Sequence, residues 1–297
     1  MSRSAKRRLG LYTTEIKMQT FQARLRTKFS RYGLYQRLRT SLLCDLYRRL
    51  SSRGGIIRRR DEEVRFYRNV LKGLRKGDLI FDIGANGGDK SDTFLRLGAR
   101  VVAVEPDERN QQVLAQRFLK LRLVKRPVRI VGKAVSDSVR KETMWVDAPG
   151  SALNTLSRKW VDTLRADDHR FGATRGFGEE RNVETTTLED LMATHGAPSY
   201  IKIDVEGHEA AVLRGLRRPI PYVSFEVNLP EFKTEGLECI ERLNEIDPNT
   251  TYNYATDCGR GLALADWAGK KDFVAVFNRI TEPCVEVFSA ASPRAGG

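Results

Sequence analysis

Short apolar runs alternate with amphipathic stretches from residue 61 onward. Three runs have the length and near-continuous apolar character of buried parallel strands: Leu79–Ile83, Val101–Glu105 and Val128–Val131. The same pattern predicts three further central strands: Tyr200–Ile203, Tyr222–Val227 and Phe273–Phe277. The amphipathic stretches predict helices: Ser91–Leu97, Glu108–Leu119 and most of Pro230–Ile246. This alternation predicts an α/β fold, a doubly wound and mostly parallel sheet with helices on both faces.

One stretch, Trp145–Arg181, interrupts the alternation. It holds several charges and four glycines: Gly150, Gly172, Gly176 and Gly178. Long segments without regular structure inside compact domains often cover a functional site. We therefore expect an inserted loop here.

The first 60 residues follow a different pattern. Apolar residues recur every three or four positions between Phe21 and Leu50, with arginines between them. This spacing is typical of amphipathic helices. We expect a basic amphipathic helical arm over residues 1–60 and one α/β domain over residues 61–297. The arm either packs its apolar stripe on that domain or rests on an anionic membrane surface.

The net charge of +14 is concentrated in this arm. Residues 1–60 hold 17 of the 52 Lys and Arg and two of the 38 acids, so they carry +15 and the rest of the chain −1. Such a basic arm would also suit peripheral contact with the inner face of a membrane, although packing on the α/β domain is the favoured interpretation. No nucleic-acid motif accompanies the arginines, so we predict no nucleic-acid partner.

The cysteines and the apolar content predict a cytoplasmic protein. The four cysteines are widely spaced and form no CxxC pair, which argues against disulfides and zinc sites. No run approaches the ~18 apolar residues that cross a bilayer. The basic start is not followed by the apolar stretch of a secretory signal.

A glycine-rich turn follows the first predicted strand. Phe81–Gly88 reads FDIGANGG and opens a helix, so its glycines let a ligand approach the backbone closely. Glu105 ends the next strand, 21 positions after Gly84, where an acid can accept hydrogen bonds from ribose hydroxyls. The pair also permits a nicotinamide cofactor, although the spacing is not G-x-G-x-x-G.

Three more polar segments follow predicted strands: Ala134–Asp137 (AVSD), Ile201–Glu209 (IKIDVEGHE) and Phe225–Asn228 (FEVN). Open α/β sheets bind ligands at the carboxyl ends of their strands. We therefore expect all these segments to lie along one rim of the sheet. Ser136 or Asp137 would there be placed to bind an adenine amino group.

At these motifs the chain resembles the FkbM family of S-adenosylmethionine-dependent methyltransferases. The resemblance covers roughly residues 63–278 and includes VEPD at 104–107, TLEDL at 187–191 and VLRG at 212–215. FDIGAN is shared by many methyltransferases, whereas KIDVEGHE this far downstream is specific. The resemblance implies a Rossmann-like class I methyltransferase fold. It also implies methylation of hydroxyl groups on sugars, glycolipids or polyketide-type products.

Carried over residue by residue, the resemblance implies a seven-residue site for S-adenosylmethionine: Asp82, Gly84, Asn86, Gly87, Glu105, Ser136 and Asp137. Gly84, Asn86 and Gly87 would line the methionine end of the cofactor. Glu105 would bind the ribose, and Ser136 with Asp137 would face the adenine edge. One departure is a charged pair, Asp89-Lys90, where many relatives carry neutral residues.

The candidate catalytic residues are Asp204, Glu206 and His208. Methyl transfer to a hydroxyl needs close alignment and a base that takes the hydroxyl proton. We expect Asp204, at a strand tip, to face the methyl group. His208 has a suitable pKa for the base, and it could equally serve only to start the following helix. Lys202 is expected to pair with an acid.

A metal is not favoured. Asp204, Glu206, His208 and Glu226 offer ligands that suit Mg²⁺ or Mn²⁺, but a metal-free base explains the same residues. We therefore predict a small-molecule or glycan acceptor and no metal. Two alternatives remain, a nicotinamide-dependent oxidoreductase and a non-catalytic module that docks on a membrane or partner. The sequence names neither the acceptor nor the oligomeric state.

Overall fold

The structure is a computed structural model that describes residues 55–119, 128–166 and 176–292. The predicted arm lies outside these residues except for 55–60, which begin the first described helix. The arm therefore stays a prediction. The described residues from Arg59 onward form one compact unit. Among the helices within these ranges, none has both the length and the apolar character needed to cross a bilayer.

The described strands are β1 (Leu79–Ile83), β2 (Arg100–Val104), β3 (Val128–Val131), β4 (Ala134–Val135), β5 (Lys141–Val146), β6 (Glu179–Thr186), β7 (Tyr200–Ile203), β8 (Tyr222–Asn228), β9 (Thr251–Ala255), β10 (Ala268–Gly269) and β11 (Cys284–Ala290). The described helices are α1 (Gly55–Val70), α2 (Asp89–Arg96), α3 (Glu108–Arg117), α4 (Arg158–Ala166), α5 (Leu188–His195), α6 (Glu209–Arg214), α7 (Lys233–Ile246) and α8 (Lys270–Phe277).

A central sheet has the order β10-β9-β11-β8-β7-β1-β2-β3. The strands from β8 to β3 are parallel, whereas β11, β9 and β10 add an antiparallel edge. The predicted strands now seen as β1, β2, β3, β7 and β8 are confirmed to within one residue at each end. The mostly parallel α/β fold is therefore confirmed.

Both faces of the parallel strands are buried, which explains their continuous apolar sequences. Alternate residues of β1 face opposite sides: Phe81 and Ile83 belong to one core cluster and Ile80 to the other. Residues of α5, α6 and α7 complete the first cluster, and residues of α1, α2 and α3 the second. Helices thus cover both faces, as a doubly wound sheet requires.

The predicted strand Phe273–Phe277 is wrong, because these residues lie in helix α8. Phe273 and Phe277 are four residues apart, so they share one helix face and both are fully buried. Phe273 stacks on Tyr252 of β9, with ring centroids 5.4 Å apart. A short apolar run fits a buried helix as well as a strand, and only the packing distinguishes them.

The predicted loop over Trp145–Arg181 is wrong in part, because α4 and parts of β5 and β6 lie within it, whereas residues 147–157 are a loop. β5 and β6 pair antiparallel, and with β4 they form a second, three-stranded sheet. Between them lies α4, an amphipathic helix that buries Trp160, Val161 and Leu164. Its apolar spacing of one, three and four residues is a helical signal, which the surrounding glycines and charges obscured.

The turn after β1 lies against the end of β7. Gly84 has a positive φ of 79°, and a Cβ added to it would lie 1.8 Å from the backbone oxygen of Asp204. The backbone N–H of Asp204 in turn donates to the carbonyl of Ile83 at 3.0 Å. Only glycine satisfies both the conformation and the space here.

We expect Gly84→Ala to unfold the protein far more easily than Gly77→Ala. Both glycines have positive φ, so both substitutions cost about 1 kcal/mol of backbone strain. The Cβ at residue 77 meets nothing within 4 Å, whereas that at residue 84 meets a carbonyl. Urea unfolding of the two variants measures the difference, and equal losses would mean that the turn and β7 are not in contact.

We expect Phe273→Ala to lower the free energy of unfolding by about 3–5 kcal/mol, because it empties a fully buried aromatic site. Val139→Ala is the control, since Val139 is 64% exposed. It should change stability by less than about 0.5 kcal/mol. Urea unfolding followed by circular dichroism measures both, and similar values for the two variants would contradict the placement of Phe273.

Candidate active site

A cleft opens at the carboxyl ends of β1, β2 and β7, which are neighbours in the sheet. It encloses about 550 Å³, open solvent included. Six of the predicted site residues line it: Gly84, Asn86, Glu105, Asp204, Glu206 and His208. The remaining four lie outside its lining: Asp82, Gly87, Ser136 and Asp137.

Glu105 is the buried acid on the β2 side of the cleft, with 6% of its surface exposed. Its Oε2 accepts the backbone N–H of Asn86 at 2.8 Å, and its Oε1 accepts that of Asp107 at 2.9 Å. Burial raises the pKa of Glu105 to about 7, against the lowering effect of these bonds. Each carboxylate oxygen keeps acceptor capacity, so Glu105 can receive two hydroxyl donors from the cleft.

Asp82 and Gly87 support the glycine turn from behind. Asp82 is buried, and its Oδ2 accepts the hydroxyl of Ser91 at 2.6 Å, which ties β1 to α2. The carbonyl of Gly87 accepts an N–H of the Arg117 side chain at 2.7 Å. Both residues therefore hold the turn in place, and a direct cofactor contact for either stays a prediction.

Ser136 and Asp137 do not line the cleft themselves, although Ser136 contacts a residue that does. The Ser136 hydroxyl lies 3.1 Å from Nε2 of His208. Asp137 pairs with Arg140 at 2.5 Å, and this hydrogen bond lowers the pKa of the carboxyl. The cleft wall on this side is lined instead by Ala134, Val135 and Met144. The predicted adenine contacts of Ser136 and Asp137 stay predictions.

His208 lines the cleft immediately before α6. Burial lowers its pKa below the usual value, so the ring is neutral near pH 7 and able to accept a proton. Its side chain makes no capping bond to the helix. A neutral ring can act as the base, although its Nε2 already contacts the Ser136 hydroxyl.

The turn between β7 and α6 is tightly held. Glu206 has a positive φ of 56°, unusual for a residue with a side chain. Oε1 of Glu209 accepts the backbone N–H groups of Val205 and Gly207, at 3.0 and 3.2 Å. The Thr155 hydroxyl donates to the carbonyl of Glu206 at 2.7 Å. These bonds stabilise the strained conformation and fix Glu206 at the cleft.

Three carboxylates meet beside this turn. Asp204, Glu206 and Glu226 each present an oxygen within 4.8 Å of the others. The Lys202 ammonium donates to Oδ2 of Asp204 at 2.7 Å, which confirms that Lys202 pairs with an acid. The charge of Asp204 and burial together raise the pKa of Glu226 to about 8. The spacing would also suit a divalent cation, which the sequence does not favour.

Sequence reasoning missed Asn154 and Thr155. Asn154 Nδ2 donates to Oδ2 of Asp107 at 3.1 Å, on the β2 side of the cleft, while Thr155 holds the turn of Glu206 on the β7 side. Both residues line the cleft. They lie in Trp145–Arg181, the stretch expected to be a loop over the site. The position of this stretch in the sequence therefore indicated that it reaches the site, but no pattern identified these two residues.

Comparison with known proteins gives the family. The Methyltransferase FkbM domain matches residues 82–254, more than half of the chain. The 31-O-demethyl-FK506 methyltransferase FkbM of Streptomyces tacrolimicus is 33% identical over 162 residues, which cover 48% of this chain and 61% of that protein. The alignment thus spans less than two thirds of that relative's length.

Two solved structures are more distant. Methyltransferase FkbM from Methylobacillus flagellatus KT aligns with a TM-score of 0.46 at 16% identity, over 76% of this chain and 47% of that one. The C-terminal domain of precorrin-6Y C5,15-methyltransferase from Rhodobacter capsulatus aligns with a TM-score of 0.38 at 13% identity, over 77% and 88%. Neither adds to the family match.

The family match and the placement of the cleft segments on adjacent strands point to one class of protein. They favour neither alternative, the nicotinamide-dependent oxidoreductase or the non-catalytic docking module. Since the family match covers more than half of its residues, the chain belongs to the FkbM methyltransferase domain family.

Proposed function

We propose that this methyltransferase uses S-adenosylmethionine and transfers the methyl group to a hydroxyl of a small-molecule, sugar or glycolipid-type acceptor. One observation carries the proposal. Three separate segments line one cleft at the carboxyl ends of adjacent strands, through Gly84 and Asn86, through Glu105 and through Asp204. Open α/β sheets bind nucleoside cofactors at this position.

The residues on the β1 and β2 side fit an adenosyl cofactor. The vicinal hydroxyls of a ribose are two donors, and the two oxygens of Glu105 are matching acceptors with their other bonds already made. Gly84 lines the cleft, and its lack of a side chain lets the glycine turn approach the end of β7 closely. Asn86, at the start of the turn into α2, offers polar groups to the methionine end.

The β7 side would hold the acceptor. When bound, S-adenosylmethionine supplies a methyl group on a positively charged sulfur, which is open to attack by an oxygen. Asp204 would accept the hydroxyl proton while the new O–C bond forms and the C–S bond breaks. Lys202 holds the Asp204 carboxylate through its Oδ2, which leaves Oδ1 for the hydroxyl. His208 is the second candidate for the base.

The choice of oxygen as the methylated atom has support from the Streptomyces tacrolimicus relative, whose name specifies an O-methylation of FK506. We propose a hydroxyl acceptor for this chain for two reasons: the name of this relative, and the carboxylates at the β7 side, which could accept the hydroxyl proton. We propose no nucleic-acid partner. Membrane contact through the basic arm stays a prediction.

A labelled-methyl transfer assay tests the proposal. The protein is incubated with methyl-labelled S-adenosylmethionine and fractionated extract of the source cell, with 31-O-demethyl-FK506 as a first defined acceptor. We expect label in a product whose fragmentation by mass spectrometry places it on an ether oxygen. Label on nitrogen or carbon, or none in any fraction, would contradict the proposed reaction.

In that assay we expect Asp204→Asn to lower turnover by about 10²–10⁴-fold, because the amide cannot take the hydroxyl proton. The affinity for S-adenosylhomocysteine should stay within about threefold, since the variant keeps the shape of the side chain. Asp162→Asn is the control, because Asp162 is exposed on α4 and pairs only with Arg158 there. Normal turnover of Asp204→Asn would remove Asp204 from the chemistry.

The cofactor affinity should depend on pH through Glu105. Its pKa is about 7, so the accepting carboxylate form predominates above pH 7 and is lost below it. We expect the affinity for S-adenosylhomocysteine to fall about tenfold between about pH 8 and pH 6. Titration calorimetry measures this. Glu105→Gln should bind S-adenosylhomocysteine more weakly, and its affinity should no longer depend on pH. If the pH dependence remains in this variant, a group other than Glu105 causes it.

A further inference from the structure

The carboxylate cluster, defined as Asp204, Glu206 and Glu226, has one cationic partner. The Lys202 ammonium donates to Asp204, and its side chain is only 4% exposed. Within the described ranges, no other lysine or arginine is hydrogen-bonded to the three acids. If all three acids are ionised, the group of four side chains carries a net charge of −2.

The surroundings do not supply the missing positive charge. Burial is the main cause of the raised pKa of Glu206, followed by the charges of Asp204 and Glu226. His208 lies nearby on the cleft, but burial lowers its pKa and keeps it neutral near pH 7. Lys133, which lines the cleft, pairs with Glu184 at 3.1 Å. The cluster thus favours any cation that enters.

The cluster faces the cleft through two of its members. Asp204 and Glu206 line the cleft together with Gly84, the glycine of the proposed methionine end. The Thr155 hydroxyl holds the backbone of Glu206 at the cleft. The carboxylate cluster therefore lies at the part of the cleft where the sulfur of the proposed cofactor would lie.

We propose that the carboxylate cluster selects the charge state of the cofactor. S-Adenosylmethionine carries a positive sulfonium, whereas the product S-adenosylhomocysteine carries a neutral thioether, and the two are otherwise alike. The cluster would strengthen the binding of S-adenosylmethionine and not that of S-adenosylhomocysteine. Methyl transfer then removes the attracted charge, which helps the product to leave. This inference rests on the proposed function, because it requires that cofactor in the cleft.

Binding affinities test the inference without an acceptor. Titration calorimetry at pH 8, above the pKa of Glu105, gives the Kd of both compounds for the wild type, Glu206→Gln and Glu226→Gln. Each substitution removes a carboxyl group whose ionised form a bound cation would favour, and it keeps the side-chain shape. We expect the preference for S-adenosylmethionine over S-adenosylhomocysteine to fall about tenfold, since attraction between nearby charges is moderated by water in the open cleft.

Glu105→Gln is the matched control. It also removes a carboxylate from the cleft, but at the side that would contact the ribose, which both compounds carry. Both affinities should therefore weaken together and their ratio should stay within about twofold. If the ratio of the two affinities changes as much in Glu105→Gln as in the two cluster variants, the preference depends on the total charge of the cleft and not on the cluster.

The outcomes separate this inference from the proposed function. If the wild type binds neither compound, the proposed function fails and takes the inference with it. If both compounds bind and neither Gln variant changes the ratio, only the inference is overturned. If a variant loses all binding, the affinities of the wild type are measured with added NaCl. We expect salt to weaken the binding of S-adenosylmethionine more than that of S-adenosylhomocysteine. Equal weakening would contradict the inference.

Discussion

The site depends on the close approach of the turn after β1 to the end of β7. There is room for only a hydrogen atom on Gly84, because a Cβ would lie 1.8 Å from the carbonyl oxygen of Asp204. This contact joins the two halves of the cleft, the glycine turn with Glu105 on one side and the carboxylate cluster on the other. A larger residue would force them apart, and the reacting groups must be aligned within a few tenths of an ångström.

Electrostatics divide the acids of the rim into two kinds. Glu105 and Glu209 are buried, and each accepts two backbone N–H groups, so their charges help to fix the turns. Glu206 and Glu226 have no backbone donors of this kind among the described residues, whereas burial contributes to a raised pKa in all four acids. Buried charge without a partner is costly in a protein and is commonly found where a ligand or proton completes it.

The sequence predicts the central part of the fold well, for a physical reason. Strands buried on both faces are mostly apolar, so β1 and β7 are evident as nearly continuous apolar runs. Parallel strands end at the same rim, so polar residues that follow them must lie close together. That is why Glu105 and Asp204, 99 positions apart in the chain, could be assigned to one site.

Other features depend on packing that no local pattern encodes. The run Phe273–Phe277 becomes a helix because Tyr252 and α7 offer it a surface. Glu226 joins the cluster only through the register of β8 on β7, and Thr155 reaches the turn of Glu206 across 51 positions of chain. Ser136 and Asp137 follow the third strand as expected, but the path of the chain there presents Ala134 and Val135 to the cleft instead.

A crystal structure of the protein with S-adenosylhomocysteine tests the central claim most directly. The account predicts the ribose hydroxyls within hydrogen-bond distance of Glu105, the sulfur beside Gly84 and the turn of Glu206, and the adenine against Ala134, Val135 and Met144. A ligand bound on another face of the sheet, or one in this cleft with its ribose turned away from Glu105, would contradict it.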